Sequence, residues 1–378
     1  MIDSSKFINE LLRRNIRFFS GVPDSLLAPF CRQLESESFT GIHVRAANEG
    51  NSIGMAIGHH LATREIPCVY MQNSGLGNCV NPLVSLAGRE VYSIPMILII
   101  GWRGRPGLHD EPQHVKQGPI TPSLLELLDI PYLVIDPKKS LSSTIENATN
   151  SAQRNQSPSA LLIPQGVLYD DYPEASDLTT PDDLTREKAI EEIVGLMDQS
   201  DIVVSTTGKT SRELFEIRKA RNETVTDFLT VGGMGHASSV TLGISLSKPD
   251  QRVICFDGDG ACAMHLGAIM TIGHYAPRNF VHIILNNKSH DSVGGQPTVV
   301  GDIDFTDLMQ TLGYGLTLKA DSVAKIKDCW RAIIDSPTGG PYLLVIDVRR
   351  GARAELGRPS KTPIQNKIDV MNHIDTLR

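Results

Sequence analysis

"FDGDGACAMHLGAI" (residues 256–269) and "FVHIILNNKSHDS" (residues 280–292) decide the fold of this chain. Each begins as an apolar run and stops on small polar residues, Asp257-Gly258-Asp259-Gly260 in the first and Asn286-Asn287 in the second. An apolar run without alternation, closed by turn-forming residues, is the mark of a strand covered on both faces. With a helical pattern between them, the two runs read as neighbouring strands of an open α/β sheet. The carboxyl ends of such strands border the crevice where ligands sit.

Outward from there the rhythm repeats. Before residue 164 we expect strands at Phe18–Val22, Ile42–Arg45, Cys68–Gln72, Met96–Ile100, Tyr132–Ile135 and Ala160–Ile163, with helices such as Ser52–Ala62 and Ser123–Leu128 between them. After residue 186 the expected strands are Ile202–Thr206, Phe228–Val231, Val253–Phe256, Phe280–Leu285 and Tyr342–Val348. The intervening PQGVLYDDYPEASDLTTPDDLTR (164–186) has three prolines and six acidic residues, a linker composition. The expected organisation is α/β, with two doubly wound parallel-sheet domains at 1–165 and 187–378 and a linker at 166–186.

A chain of 378 residues can bury two cores of ordinary size. Its 40% hydrophobic and 21% charged residues describe a soluble globular protein, and a formal charge of −7 argues against a broad nucleic-acid or membrane surface. The basic C-terminal cluster (Arg349, Arg350, Arg353, Arg358, Lys361) is short and mixed with turn residues, which suits a solvated tail or a subunit contact. No apolar run approaches the roughly 20 residues of a membrane span, and the polar first residues do not read as a secretory signal, so a cytoplasmic location is expected. The six scattered cysteines are expected to be buried, reduced and without metal.

The two strand ends carry chemistry as well as geometry. Gly258 and Gly260 are expected to permit positive φ and close approach of backbone to a ligand. The helix expected from about Ala261 offers N–H groups to a phosphate. Asp259 supplies an anionic oxygen, Asn287 a neutral carboxamide oxygen, and the Ser289 backbone a third. Three hard oxygens suit Mg2+, with phosphate oxygens and water completing an octahedron. An EF-hand beginning at Asp257 fails at Ala261 and Ala268. A Walker A loop ending in Gly208-Lys209-Thr210 fails at Val203, and a dinucleotide fingerprint beginning at Gly258 fails at Ala263. An ordinary turn with an aspartate cap accounts for the first element but not for the asparagine pair at the matching strand end.

The GDG turn followed after just under thirty residues by Asn-Asn resembles the signature of thiamin diphosphate-dependent enzymes. The resemblance implies the thiamin diphosphate-binding fold, a pyrimidine-binding domain followed by a diphosphate-binding domain, with thiamin diphosphate and Mg2+ as cofactors. It implies Asp259, Asn287 and Ser289 as metal ligands, with Gly258 and Gly260 beside them. Glu49, in VRAANEGNSIGMAIGHHLA, matches the glutamate that protonates the pyrimidine ring, and desolvation would raise its pKa; alone, it also reads as a glutamate favoured by the helix dipole. VGGMGHASSVTLGISL resembles the segment carrying the fulcrum residue, which implies roles for Gly232 and Met234, although Met234 also suits ordinary core. Thr207 and Gly208 match the loop that meets the phosphates, and Asn73 and Gly75 a loop beside the pyrimidine.

Within that superfamily the compact plan looks like the phosphonopyruvate decarboxylase family, with sulfopyruvate decarboxylases as near neighbours. FFSGVPDSLLAPF, MQNSGLGNCVNPLVSL, IGWRGRPGLHDEPQHVKQG, NNKSHDSVGGQPT and LGRPSKTPIQNK carry the likeness. Where that family has Gly-Ala after the asparagine pair, this sequence has Lys288-Ser289. The implied reaction is decarboxylation of 3-phosphonopyruvate to phosphonoacetaldehyde and CO2 through a thiamin diphosphate ylide and an enamine; the alternatives are sulfopyruvate or another 2-oxo acid. Arg103, Arg105 and Lys116 are candidates to hold the phosphonate, each equally readable as a solvated loop charge. Asp24, Ser25, His114 and His290 are acid–base candidates, the first two also suited to capping a helix. The implied assembly is a homodimer or homotetramer with the active site between subunits. A nicotinamide dehydrogenase lacks its glycine fingerprint here, and a non-catalytic thiamin-binding subunit would not need Glu49 together with Asp259 and Asn287.

Overall fold

The computed structural model describes residues 1–171 and 184–377. They form two compact units, and the division between Ala175 and Ser176 falls among the undescribed residues. The first unit holds six parallel strands, Phe18–Gly21, Ile42–Arg45, Cys68–Gln72, Met96–Trp102, Tyr132–Val134 and Pro158–Pro164. The second holds six more, Ile202–Ser205, Phe228–Leu229, Val253–Gly258, Phe280–Asn286, Leu316–Ala320 and Tyr342–Asp347. With the strands of each sheet numbered along the chain, both sheets read 2-1-3-4-6-5. The winding therefore reverses between the first and third strands of each, the place where an open α/β sheet presents a ligand crevice.

The central strands are buried from end to end, as in Met96–Trp102, Pro158–Pro164 and Phe280–Asn286. Apolar side chains on both faces demand helices on both faces, and each sheet has them: one face of the second sheet packs Leu214, Phe215 and Trp330, the other Ala237, Leu242 and Met309. Neighbouring strands Val253–Gly258 and Phe280–Asn286 pair with Gly258 opposite Leu285. That register brings Asp259 and Asn287 to one edge of one sheet.

Several expectations need correction. The helix after Gly258 begins at Asp259 and ends at Met264, two residues earlier than expected at its start. The helix expected over Ser123–Leu128 runs over His114–Leu127, with Pro119 and Pro122 inside it, and those prolines are what hid its first half. Leu316–Ala320, an edge strand whose residues are mostly half-exposed, lacks the apolar run that marks its neighbours. Of the expected linker, Leu168–Tyr169 pairs with Ile2–Asp3, and Asp170 accepts from Arg32 at 2.8 Å, so these residues belong to the first unit. Arg186 opens the helix Arg186–Leu196, and the middle of the linker lies outside the described residues.

The cysteines are free, five buried and Cys329 half-buried. In the basic C-terminal cluster, Arg353 pairs with Glu187 and Glu216, and Lys361 pairs with Asp369. Among the described residues, no helix is long and apolar enough to cross a membrane.

Phe256 is wholly buried in the second unit. Phe256→Ala is expected to lower stability by about 3–5 kcal/mol, read as an earlier urea midpoint; an unchanged midpoint would contradict its place in the core.

Candidate active site

In the second unit the crevice is built around Asp259. Its carboxylate is 2% exposed and accepts from the Thr298 hydroxyl at 2.6 Å. Burial pushes this carboxyl up to about 6, against the pull of Thr298 and of nearby backbone N–H groups. Asp257, two residues earlier, serves the sheet instead: it is wholly buried, accepts from the Gly258 N–H at 2.9 Å and lies 3.4 Å from His282, whose other ring nitrogen meets Tyr314 at 3.1 Å.

The chain after Asn287 folds back as a hairpin, with His290 N–H donating to the Gln296 carbonyl at 2.8 Å and Thr298 N–H to that of Lys288 at 3.1 Å. This return carries Thr298 onto Asp259. It also requires φ +54° at Lys288, a left-handed conformation that glycine adopts without strain. Asn287 is 8% exposed; its amide oxygen accepts from the Ser289 N–H at 3.0 Å and its amino group donates to Asp291 at 2.7 Å. The Ser289 hydroxyl donates to the Gly295 carbonyl at 3.1 Å.

Glycine is needed at these positions for reasons the sequence only partly discloses. Gly258 has φ −110° and Gly260 lies in the helix, so neither uses positive φ, contrary to expectation. Gly260 is required for space: a Cβ there would come 2.8 Å from the His290 ring and 3.0 Å from Thr298. Gly208, the N-cap of helix Lys209–Ala220, does adopt φ +96°, and a Cβ there would sit 2.5 Å from the Ser292 hydroxyl. Thr207 is half-buried just before it, and Met234 is half-buried in the turn between Gly232 and Gly235 rather than locked in core.

In the first unit Glu49 is 5% exposed and opens helix Glu49–Thr63, whose cap Asn48 accepts from the Gly50 N–H at 2.8 Å. Its carboxylate accepts from the Asn78 amide at 2.7 Å, a neutral partner rather than a cation. Gly75 packs against it so closely that a Cβ would lie 2.5 Å from a carboxylate oxygen. Asn73 is turned inward: its amide donates to the Arg103 carbonyl and to Thr121, both at 2.9 Å, and accepts from the Arg103 N–H at 3.2 Å. It ties this loop to the segment after strand Met96–Trp102.

That segment gathers the remaining candidates of this unit. Asp24 is wholly buried, caps the turn Ser25–Leu27 through the Leu26 N–H at 3.1 Å, and accepts from Gln72 at 2.6 Å. Burial raises its pKa, opposed by the hydrogen bond from Gln72 and the charge of Arg103. The Arg103 guanidinium forks onto Asp110 and donates to the Ser25 hydroxyl at 2.8 Å, which fixes its orientation within the protein. Arg105 stays exposed, its guanidinium 5.3 Å over the Trp102 ring, and Lys116 is exposed on its helix. His114 is 6% exposed, with Nδ1 unpaired and a pKa lowered by burial and by Arg103. Sequence reading missed Asn78, Gln72, Asp110, Thr298 and Asp291; only the last, four residues from Asn287, carried a local signal.

The chain belongs to the thiamine pyrophosphate enzyme family: residues 3–124 match its N-terminal TPP binding domain and residues 206–346 its C-terminal TPP binding domain. Phosphonopyruvate decarboxylase of Streptomyces viridochromogenes is 34% identical over 97% of this chain and 93% of its own. The enzyme of that name from Streptomyces hygroscopicus is 35% identical over 96% and 92%. Sulfopyruvate decarboxylase of Methanosarcina acetivorans is 29% identical over 79% of each.

The donor set fits the cofactor of this family. Buried acids stand at Glu49 and Asp259, and among the described residues the side chains that bond them, Asn78 and Thr298, are neutral. In the hairpin beside Asp259, Gln296 is 2% exposed with both ends of its carboxamide unpartnered. Gly75→Ala should displace the Glu49 carboxylate and weaken thiamin diphosphate binding by tenfold or more, measured by calorimetry, with little loss of thermal stability; wild-type affinity would contradict the close packing.

Proposed function

We propose that this chain is a thiamin diphosphate-dependent carboxy-lyase that converts 3-phosphonopyruvate to phosphonoacetaldehyde and CO2. The observation that carries this is the match to two phosphonopyruvate decarboxylases along nearly the whole chain, against the shorter and weaker match to sulfopyruvate decarboxylase. When bound, the cofactor supplies an electron sink for the pair left behind by departing CO2. Asp259, Asn287 and the Ser289 carbonyl would hold Mg2+, Thr207 and Gly208 would meet the phosphates, and Met234 would support the cofactor between its rings. Glu49, buried beside Gly75 and the neutral Asn78 amide, would donate to the pyrimidine nitrogen.

The protein's own groups bind, orient and move protons. Burial of Asp24 lifts its pKa toward the working range, which supports a role in exchanging a proton with the substrate. His114, kept neutral by burial and by Arg103, offers an unpaired Nδ1 as acceptor. His290, against Gly260, is the acid–base candidate of the other half-site. Arg103 is held by Asp110 and donates to the Ser25 hydroxyl, while Arg105 and Lys116 are exposed cations available to a phosphonate. A phosphonate can carry a second negative charge at neutral pH where a sulfonate cannot, so a cationic side chain at the substrate would favour it.

In this reading the Glu49 half of one subunit meets the Asp259 half of another, in a homodimer or homotetramer. Two measurements check the proposal. With thiamin diphosphate and Mg2+, CO2 release from phosphonopyruvate should exceed that from sulfopyruvate and from pyruvate by at least tenfold in kcat/KM; a preference for sulfopyruvate would replace the substrate assignment. Light scattering should give an even multiple of the chain mass, and an active monomer would overturn the shared site.

A further inference from the structure

Three consecutive side chains after the asparagine pair go to three walls of the second unit. His290 packs on Gly260, Ser292 on Gly208, and between them Asp291 joins segments far apart in sequence. A single oxygen of Asp291 accepts from the Asn287 amino group at 2.7 Å, from Arg186 at 2.9 Å and from the Gly351 N–H at 3.0 Å. Arg186 in turn forks onto Glu213 at 2.7 and 2.9 Å. The side chains of Arg186 and Asp291 are 6% exposed and that of Glu213 is 1%.

The two ends of a carboxamide are nearly identical in shape, and only hydrogen bonds distinguish oxygen from nitrogen. A carboxylate accepts and cannot donate, so Asp291 receives only the amino end of Asn287. The Ser289 N–H donates and cannot accept, so it meets only the oxygen. Both contacts select one orientation, and the amide oxygen keeps a second lone pair for a cation. Asp291 holds its own place because Arg186 and the Gly351 N–H satisfy it, and Glu213 balances the arginine.

We propose that Asp291, fixed by Arg186, is a positioning residue that sets the rotamer and amide orientation of Asn287, so that its oxygen faces the divalent cation. This rests on the reading of Asn287 as a metal ligand. Partners that orient a metal ligand typically contribute 10–100-fold in metal affinity. The network also begins at the first residue of helix Arg186–Leu196, so the segment entering the second unit is anchored to the loop that would hold the metal.

The test is a double-mutant cycle on the full chain, with Mg2+ binding measured by calorimetry at saturating thiamin diphosphate. Asn287→Ala and Asp291→Ala are each expected to weaken Mg2+ binding at least tenfold. The double variant should be no weaker than Asn287→Ala alone, because Asp291 acts only through that side chain. Losses that multiply, or wild-type affinity in Asp291→Ala while Asn287→Ala is impaired, would overturn the proposal. Wild-type affinity in Asn287→Ala would instead remove the ligand reading beneath it. Should Asp291→Ala not fold, Asp291→Asn is the substitute: a loss of about threefold is expected in the wild-type background and none in Asn287→Ala, and an equal loss in both backgrounds would overturn the proposal.

Discussion

Burying the carboxylate of Asp259 is unfavourable unless something returns the hydration it loses, and the second unit is arranged around that requirement. One hydroxyl and a few backbone N–H groups reach it, yet its carboxyl is still pushed up to about 6. A charge left so incompletely compensated favours a cation, and a cation brings in an anionic ligand. The parallel pairing of Val253–Gly258 with Phe280–Asn286 sets the second oxygen donor at the same edge. The hairpin closing over Asp259 then requires small residues beneath it, and glycine stands at 260 where His290 and Thr298 press.

The first unit repeats the strand order 2-1-3-4-6-5 and uses its carboxyl edge differently. Glu49 meets a neutral amide and a glycine, a setting for a carboxyl that exchanges hydrogen bonds with a neutral heterocycle rather than clasping a metal. Around Asp24, two other segments converge: Gln72 ends the third strand, while Arg103, held by Asp110, follows the fourth. One topology thus presents two chemistries, fixed by the few side chains just beyond the strand ends.

The fold was legible because strands covered on both faces leave continuous apolar runs, and those runs located the inner strands of both sheets to within two residues. Leu316–Ala320 escaped because an edge strand has no such run. The start of helix His114–Leu127 escaped because Pro119 and Pro122 interrupt the helical pattern of the sequence, although both lie inside the helix. Glu49, Asp259 and Asn287 could be named as candidates from strand-end position and residue type. Their partners could not: Asn78 reaches Glu49 from 29 positions away and Thr298 reaches Asp259 from 39, while Arg186 reaches Asp291 beside Asn287 from 105, and only the folded chain brings them there. Side-chain commitments were equally hidden, since Arg103, Arg105 and Lys116 look alike in sequence while Asp110 engages only the first.

In the proposed function the buried acid Glu49 and the Asp259 strand edge would serve one bound cofactor. A crystal structure grown with thiamin diphosphate and Mg2+ tests this most directly. The expected result is a cation about 2.0–2.1 Å from the Asp259 and Asn287 side-chain oxygens and a Glu49 carboxylate within hydrogen-bonding distance of the cofactor's pyrimidine ring. A cofactor lying away from Asp259, or bound with Glu49 out of reach of that ring in every subunit, would contradict it.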